Sequence, residues 1–349
     1  MSSLQTEPRR ASRRMGDLPP LVELRGVSKR FVRPLDASMR IANALGSKLR
    51  EHVVRAVDRV DLAIESREIV GLVGESGCGK STLGRLAVGL LSSSEGERLW
   101  QGKSVDGLEG GAAREQQLRM QMIFQDPYAS LNPRMRVLDI VGEAPVVHGL
   151  VTPREKAEYV ALQLDRVGLD PTLMRRFPHQ FSGGQRARVG IARAIAVKPE
   201  FLVCDESVAA LDVSIRAQVL NLFMDLKSTL GLTYLFISHD LGVVRHVSDR
   251  VAVMYLGRIV ESGPAGEIFA APNHPYTRAL LAEIGTIDPG KRRYAPIEGE
   301  IPSPLAPPPG CHFHPRCPYA MARCREAAPP LDEIAPGHRS ACYLNDSRP

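Results

Sequence analysis

Nowhere in this chain of 349 residues do about eighteen consecutive apolar side chains occur, so the sequence offers no candidate for a membrane-spanning helix. Arg9, Arg10, Arg13 and Arg14 stand near the start without the apolar run of a secretory leader, and the expected location is cytoplasmic. No internal repeat is visible, so whatever unit the chain encodes is present once. A large excess of one charge is also missing. The net charge of +6 and pI near 9.1 would tolerate nucleic acid or an anionic membrane without arguing for either. Cysteine is sparse and uneven: of six, Cys311, Cys317, Cys324 and Cys342 crowd the C-terminal end. In a reducing compartment such a cluster points to metal ligation before disulfides. With 44% hydrophobic and 24% charged residues, the remainder reads as one main soluble domain with attachments.

The chain is organised around Gly74 to Thr82, GESGCGKST. Gly, four residues, then Gly-Lys-Ser is a phosphate-binding pattern, and it lies between a strand-like run (Ile69 to Val73) and a helix-like one (Leu83 to Leu91). Gly74, Gly77 and Gly79 free the backbone to turn its N–H groups toward phosphate oxygens, with Glu75, Ser76 and Cys78 between them. Lys80 adds a positive charge for the terminal phosphates, and the hydroxyl of Ser81 is a candidate Mg²⁺ ligand. A nucleoside triphosphate is the expected ligand.

Residues 1 to 20 read as a disordered basic tail. Leu21 to Phe31 alternates like a strand, and Phe31 is a candidate to stack on an adenine ring. Between Pro34 and Val53 the apolar spacing of Ile41, Leu45, Leu49 and Val53 predicts an amphipathic helix. Ala56 to Ile64 predicts a strand, Gly96 to Gly102 a hairpin and Met120 to Phe124 a strand that delivers Gln125 toward the metal or attacking water. Residues from about 134 to 180 read as helical, a subdomain inserted into an α/β core.

That segment ends in Phe181-Ser182-Gly183-Gly184-Gln185, where Ser182 suits a helix N-cap and the glycines leave the helix N-terminus open, making a second anion site. Phe201 to Glu206 predicts a buried strand ending in paired carboxylates: Asp205 to hold Mg²⁺, Glu206 to orient or deprotonate water. Asp212 follows a short turn, then a helix from Ser214 to Leu230, a strand from Tyr234 to Ile237, and His239, which can donate a hydrogen bond to a γ-phosphate.

With these motifs in this order, the sequence resembles the nucleotide-binding subunit of an ABC transporter from about residue 21 onward. QDPYASLNPRM, HPYTRALL (His274 to Leu281) and GEIPSPLAPPPGCHFHPRCPYA (Gly299 to Ala320) are similar to the oligopeptide and dipeptide importer branch. The resemblance implies an α/β fold: an ABC-type P-loop ATPase core over residues 21–270 with the inserted helical subdomain, and a Cys-rich extension over 271–349. It further implies ATP and Mg²⁺ as ligands, Glu206, His239, Gln125 and Lys80 in hydrolysis, and Ser182, Gly183, Gly184 and Gln185 closing over an ATP held by a second ABC ATPase subunit. The expected assembly includes two transmembrane permease subunits and an extracytoplasmic solute-binding protein, at the cytoplasmic face of the membrane. Phe181 in place of Leu, Ser207 in place of Pro and Arg67 in place of a turn glycine depart from the family pattern without removing a phosphate or metal ligand.

Intervals of five, six and seventeen residues separate the four tail cysteines and lack the paired C-x-x-C of most zinc sites. The resemblance implies a 4Fe-4S cluster on Cys311, Cys317, Cys324 and Cys342. Zinc and unliganded thiols are the alternatives, with His312 and His314 possible substitute ligands. A nucleic-acid or ribosome ATPase is a competing class, but no long heptad insertion separates the phosphate loop from Ser182 and no second cassette is present. Peptide is the default solute of the branch; nickel and sugars are carried by similar ATPases.

Overall fold

The computed structural model describes residues 19–33, 52–126, 130–282 and 299–347. The basic tail, except its last two residues, and the predicted helix up to residue 51 lie outside the described residues, as do Pro127, Tyr128 and Ala129.

Two sheets share one apolar interior. β1 (Val22–Arg33) and β2 (His52–Ile64) are long antiparallel partners, so His52 and Val53 belong to a strand instead of the end of the predicted helix. β3 (Ile69–Val73) is buried throughout and feeds the phosphate loop, which opens α1 (Lys80–Ala87). β4 (Glu95–Trp100) and β5 (Lys103–Ser104) form the expected hairpin, and β4 also pairs with β1, giving an antiparallel sheet in the order β2-β1-β4-β5. Gln101 and Gly102, both at positive φ, make its two-residue turn.

α2 (Gly110–Arg119) precedes β6 (Met120–Ile123). No residue of α2 is buried, so the apolar stripe that would have revealed it in the sequence is absent. α3 (Val137–Val147) and α4 (Lys156–Arg166) occupy the segment expected to be helical, packed on each other through Val141, Val160 and Leu164. α5 (Gly183–Ile195) is capped by Ser182 and lies against both.

β7 (Phe201–Asp205), α6 (Val213–Leu230), β8 (Thr233–Ile237), α7 (Leu241–Val247), β9 (Arg250–Tyr255) and β10 (Arg258–Pro264) complete the core. β9, β3, β8, β7 and β6 are parallel neighbours in that order, and their near-continuous Val, Ile, Leu and Phe composition reflects burial on both faces. The loops after β3, β6, β7 and β8 therefore leave the same, carboxyl edge of the sheet, where open α/β sheets bind ligands.

Beyond β10 come α8 (Ala265–Ala270), α9 (Pro275–Ala282), α10 (Ala322–Glu326), β11 (Asp332–Ala335) and β12 (His338–Ser340). β12 pairs with β10 and β11 with β12, so the large sheet runs β11-β12-β10-β9-β3-β8-β7-β6. The C-terminal extension thus adds two strands to the core sheet across the 270/271 boundary. Tyr255, Tyr276 and Phe313 join the two parts through a cluster of rings with centroids 4.7 to 5.4 Å apart.

Candidate nucleotide site

β3 ends at Val73 and the chain turns on glycines whose lack of a side chain is required by sterics. A Cβ on Gly74 would collide with the carbonyl oxygen of Met254, and one on Gly79 with that of Ala56. Both residues have φ in the left-handed range, +152° and +110°. The loop is thereby pressed against β2 and β9. Ser76 and Gly77 remain exposed at its tip, Cys78 is buried beneath it and Thr82 is half-buried in α1.

Lys80 is buried, and its Nζ donates to the carbonyl oxygens of Gly74 (2.7 Å) and Glu75 (2.9 Å). The ammonium thus spans the loop from inside, where it can exchange carbonyl partners for phosphate oxygens. Ser81 Oγ donates to Asp205 Oδ1 at 2.8 Å, joining the loop to the end of β7. Burial pushes the Asp205 carboxyl above its ordinary pKa despite that bond.

Glu206 follows with φ +46°, which ends the strand one residue before the sequence reading had it. Its backbone N–H donates to Ile237 O of β8 (3.0 Å). Its carboxylate accepts from Gln125 Nε2 (2.8 Å) and lies 3.4 Å from Nδ1 of the exposed His239. Ser81 is therefore bonded to Asp205, and Gln125 and His239 both meet Glu206, while Lys80 is held by the loop's own carbonyls, all at the shared edge of the sheet.

Ser182 Oγ accepts from the Gln185 N–H (3.3 Å) and the Gln185 side chain accepts from the Ser182 N–H (3.0 Å), a reciprocal cap that holds the start of α5 in shape. Both bonds stay within the motif. Gly184 is buried against Ile215 of α6, where a Cβ would collide. Asp212 is exposed at the start of α6 and makes no side-chain cap bond. Phe31 is 42% exposed on β1, with Lys29 Nζ 5.5 Å from its ring centroid.

Cys311, Cys317, Cys324 and Cys342 line one cavity, together with His274, Phe313 and His314, and all are free thiols. His312 points elsewhere, its Nδ1 3.0 Å from Leu256 O. The sequence expectation of an iron-sulfur cluster needs qualifying: among the described residues no group of three or more His, Cys, Asp or Glu is gathered closely enough to hold a metal ion. That finding supports neither the iron-sulfur cluster nor zinc.

Contacts on the far side of the phosphate loop leave no mark in the local sequence. Glu75 is paired with Arg316, and its N–H donates to Tyr276 Oη (2.9 Å). Both partners sit in stretches that stood out in the sequence, but nothing in local spacing says that they fold back more than two hundred residues.

The family profile described as ABC transporter matches residues 57–209, and that of the oligopeptide/dipeptide transporter C-terminal region matches 260–324. The oligopeptide transport ATP-binding protein AppF of Bacillus subtilis is 46% identical over 331 residues, covering 93% of this chain and 97% of AppF. The chain belongs to the ATP-binding proteins of ABC transporters, in the oligopeptide/dipeptide branch. A probable peptide ABC transporter ATP-binding protein of Sinorhizobium fredii is 49% identical over 293 residues, 84% of this chain and 83% of its own. Among solved structures, the dimeric post-hydrolysis state of the ATP-binding cassette MJ0796 bound to ADP and Pi aligns with TM-score 0.59 at 26% identity, covering 70% of this ABC protein and 98% of that chain. CbiO1 of Clostridium perfringens, part of the ABC transporter complex cbiONQ, aligns with TM-score 0.59 at 25% identity, over 72% and 92%.

Proposed function

We propose that this ABC ATPase hydrolyses ATP at the edge of β3 and β7, and that a second ATPase subunit supplies the other wall of each site. The protein powers peptide import. The observation that carries the catalytic reading is the convergence of Gln125, Glu206 and His239 beside the loop that holds Lys80 and Ser81.

In this reading Glu206 accepts a proton from water as its oxygen attacks the γ-phosphorus, and the bond to the β,γ-bridging oxygen breaks to leave ADP and inorganic phosphate. Gln125 holds the Glu206 carboxylate in orientation, while Lys80 and His239 place positive or donor groups against the γ-phosphate oxygens. The Ser81 hydroxyl, the Asp205 carboxylate and the Gln125 side chain form a hard oxygen set that suits Mg²⁺. When bound, the ion neutralises charge on the β- and γ-phosphates. Phe31, exposed on β1, serves as the adenine platform, and Glu75, Ser76, Gly77, Cys78 and Thr82 complete the loop.

α5 presents a capped helix N-terminus at Ser182, Gly183 and Gly184, and its side-chain bonds serve only itself. Such an end favours anions, and we assign it to the triphosphate on the partner's phosphate loop, with Asp212 near the same junction. Core residues 21–270, the helical segment 134–180 and the extension 271–349 are the working parts in this reading. The permease pair would dock from the membrane on the helical side, at the cytoplasmic face, and an extracytoplasmic binding protein would select the peptide. Among the described residues no helix is long and apolar enough to cross a membrane.

For the tail, the four thiols that line one cavity would be the residues to hold a 4Fe-4S cluster. Such a cluster would cross-link the extension. Glu206→Gln tests the hydrolytic reading: ATP binding is retained while turnover falls by about 10²-fold or more. Unchanged turnover would remove Glu206 from its role.

A further inference from the structure

The phosphate loop of this protein is not held by the ATPase core alone. Arg316 closes a short turn, His314–Arg316, immediately before Cys317, and its side chain is only 5% exposed. Its guanidinium meets both oxygens of Glu75, Nη1 to Oε2 at 2.8 Å and Nη2 to Oε1 at 3.0 Å, and rests over the Tyr255 ring with 5.9 Å to the centroid. From the other side, Tyr276 at the start of α9 takes the N–H of Glu75 on its hydroxyl. The residue after Gly74 is thus fixed at both backbone and side chain by groups lying 201 and 241 positions away in the sequence.

Charge decides what this grip achieves. Glu75 places a carboxylate in a loop built to receive a polyanion, where an unpaired negative charge would repel every phosphate. A two-pronged guanidinium bond neutralises it and fixes its direction. We propose that Arg316, with Tyr276, is a positioning residue of the nucleotide site: the C-terminal extension masks the Glu75 charge and pre-shapes the loop, so that triphosphate affinity depends on it.

The test uses the full-length chain with fluorescent mant-ATP and mant-ADP, alongside thermal melting to confirm folding. Arg316→Met exposes the Glu75 charge, so mant-ATP affinity should fall about tenfold, equivalent to about 1.4 kcal/mol, with a smaller loss for mant-ADP. Adding Glu75→Gln to Arg316→Met removes the repelling charge and should restore affinity to within about threefold of wild type. An arginine that merely supported folding would give no such rescue. Should Arg316→Met not fold, Arg316→Gln, which removes the charge but keeps hydrogen-bond donors, is compared with Arg316→Gln/Glu75→Gln by the same measurements. Affinity within twofold of wild type in the folded single variant, or a double variant no better than the single, would overturn the proposal.

Discussion

Glu261 is 0% exposed on β10 and holds the extension to the core sheet. One carboxylate oxygen accepts from the Asn273 N–H (2.7 Å) and His338 Nε2 (2.8 Å), the other from the His274 N–H (2.9 Å). Burial alone would push this carboxyl up, but the His338 partnership and the backbone donors hold it below the usual carboxylate range. Glu261→Gln keeps the shape and replaces one oxygen with an NH₂ group, which must face at least one of three donors. Leaving a buried donor unmatched costs about 1–3 kcal/mol, and exchanging a charge-assisted bond to His338 for a neutral one about 1 kcal/mol more. A loss of about 2–4 kcal/mol corresponds, at roughly 2 °C per kcal/mol for a chain of this size, to a melting temperature lowered by about 4–8 °C. Differential scanning fluorimetry at neutral pH measures this, and limited proteolysis should show earlier cleavage beyond β10. Melting within about 1 °C of wild type with an unchanged digest would refute the idea that Glu261 anchors the extension.

Lys80→Ala should weaken nucleotide binding itself, read by mant-ATP titration; wild-type affinity would count against the phosphate-loop assignment. Gly74→Ala, which drives a methyl group into the Met254 carbonyl, should abolish nucleotide binding in a protein that still contains its helices by circular dichroism. Burial lowers the pKa of His274 to about 4, against about 6.5 in an unfolded chain. Between those values the unfolded chain takes up a proton that the native state refuses, so His274's contribution to stability is full above about pH 6.5 and shrinks as pH falls toward 4. His274→Asn should flatten the melting-temperature profile over that interval. Iron and sulfide analysis of anaerobically purified protein should find about four of each per chain; zinc without iron, or no metal, would remove the cluster.

The buried core strands, the glycine turn after β3 and the Ser182 cap are legible in the sequence because each depends on local signals. Buried strands read as short apolar runs, and the GESGCGKST turn and the Ser182 cap carry their chemistry in adjacent residues. What escaped was set by long-range pairing. β12 is only His338–Ser340, too short to show alternation, yet it adds to β10 because Glu261 and His338 meet across that edge. α2 lacked an apolar face, and the partnership of Glu75 with Arg316 spans most of the chain. Side chains brought together by the fold leave no spacing to read.

In the proposed assembly the Ser182 to Gln185 cap acts on a nucleotide that its own chain does not hold. Cryo-EM of the Glu206→Gln variant, assembled with its partner ATPase and permeases in Mg-ATP, tests this most directly. The prediction is that the Ser182 hydroxyl and the N–H groups at the start of α5 contact the γ-phosphate seated on the opposite subunit's loop. Finding that helix start open to solvent in the closed assembly, or bound to the triphosphate on Lys80 of the same chain, would contradict it.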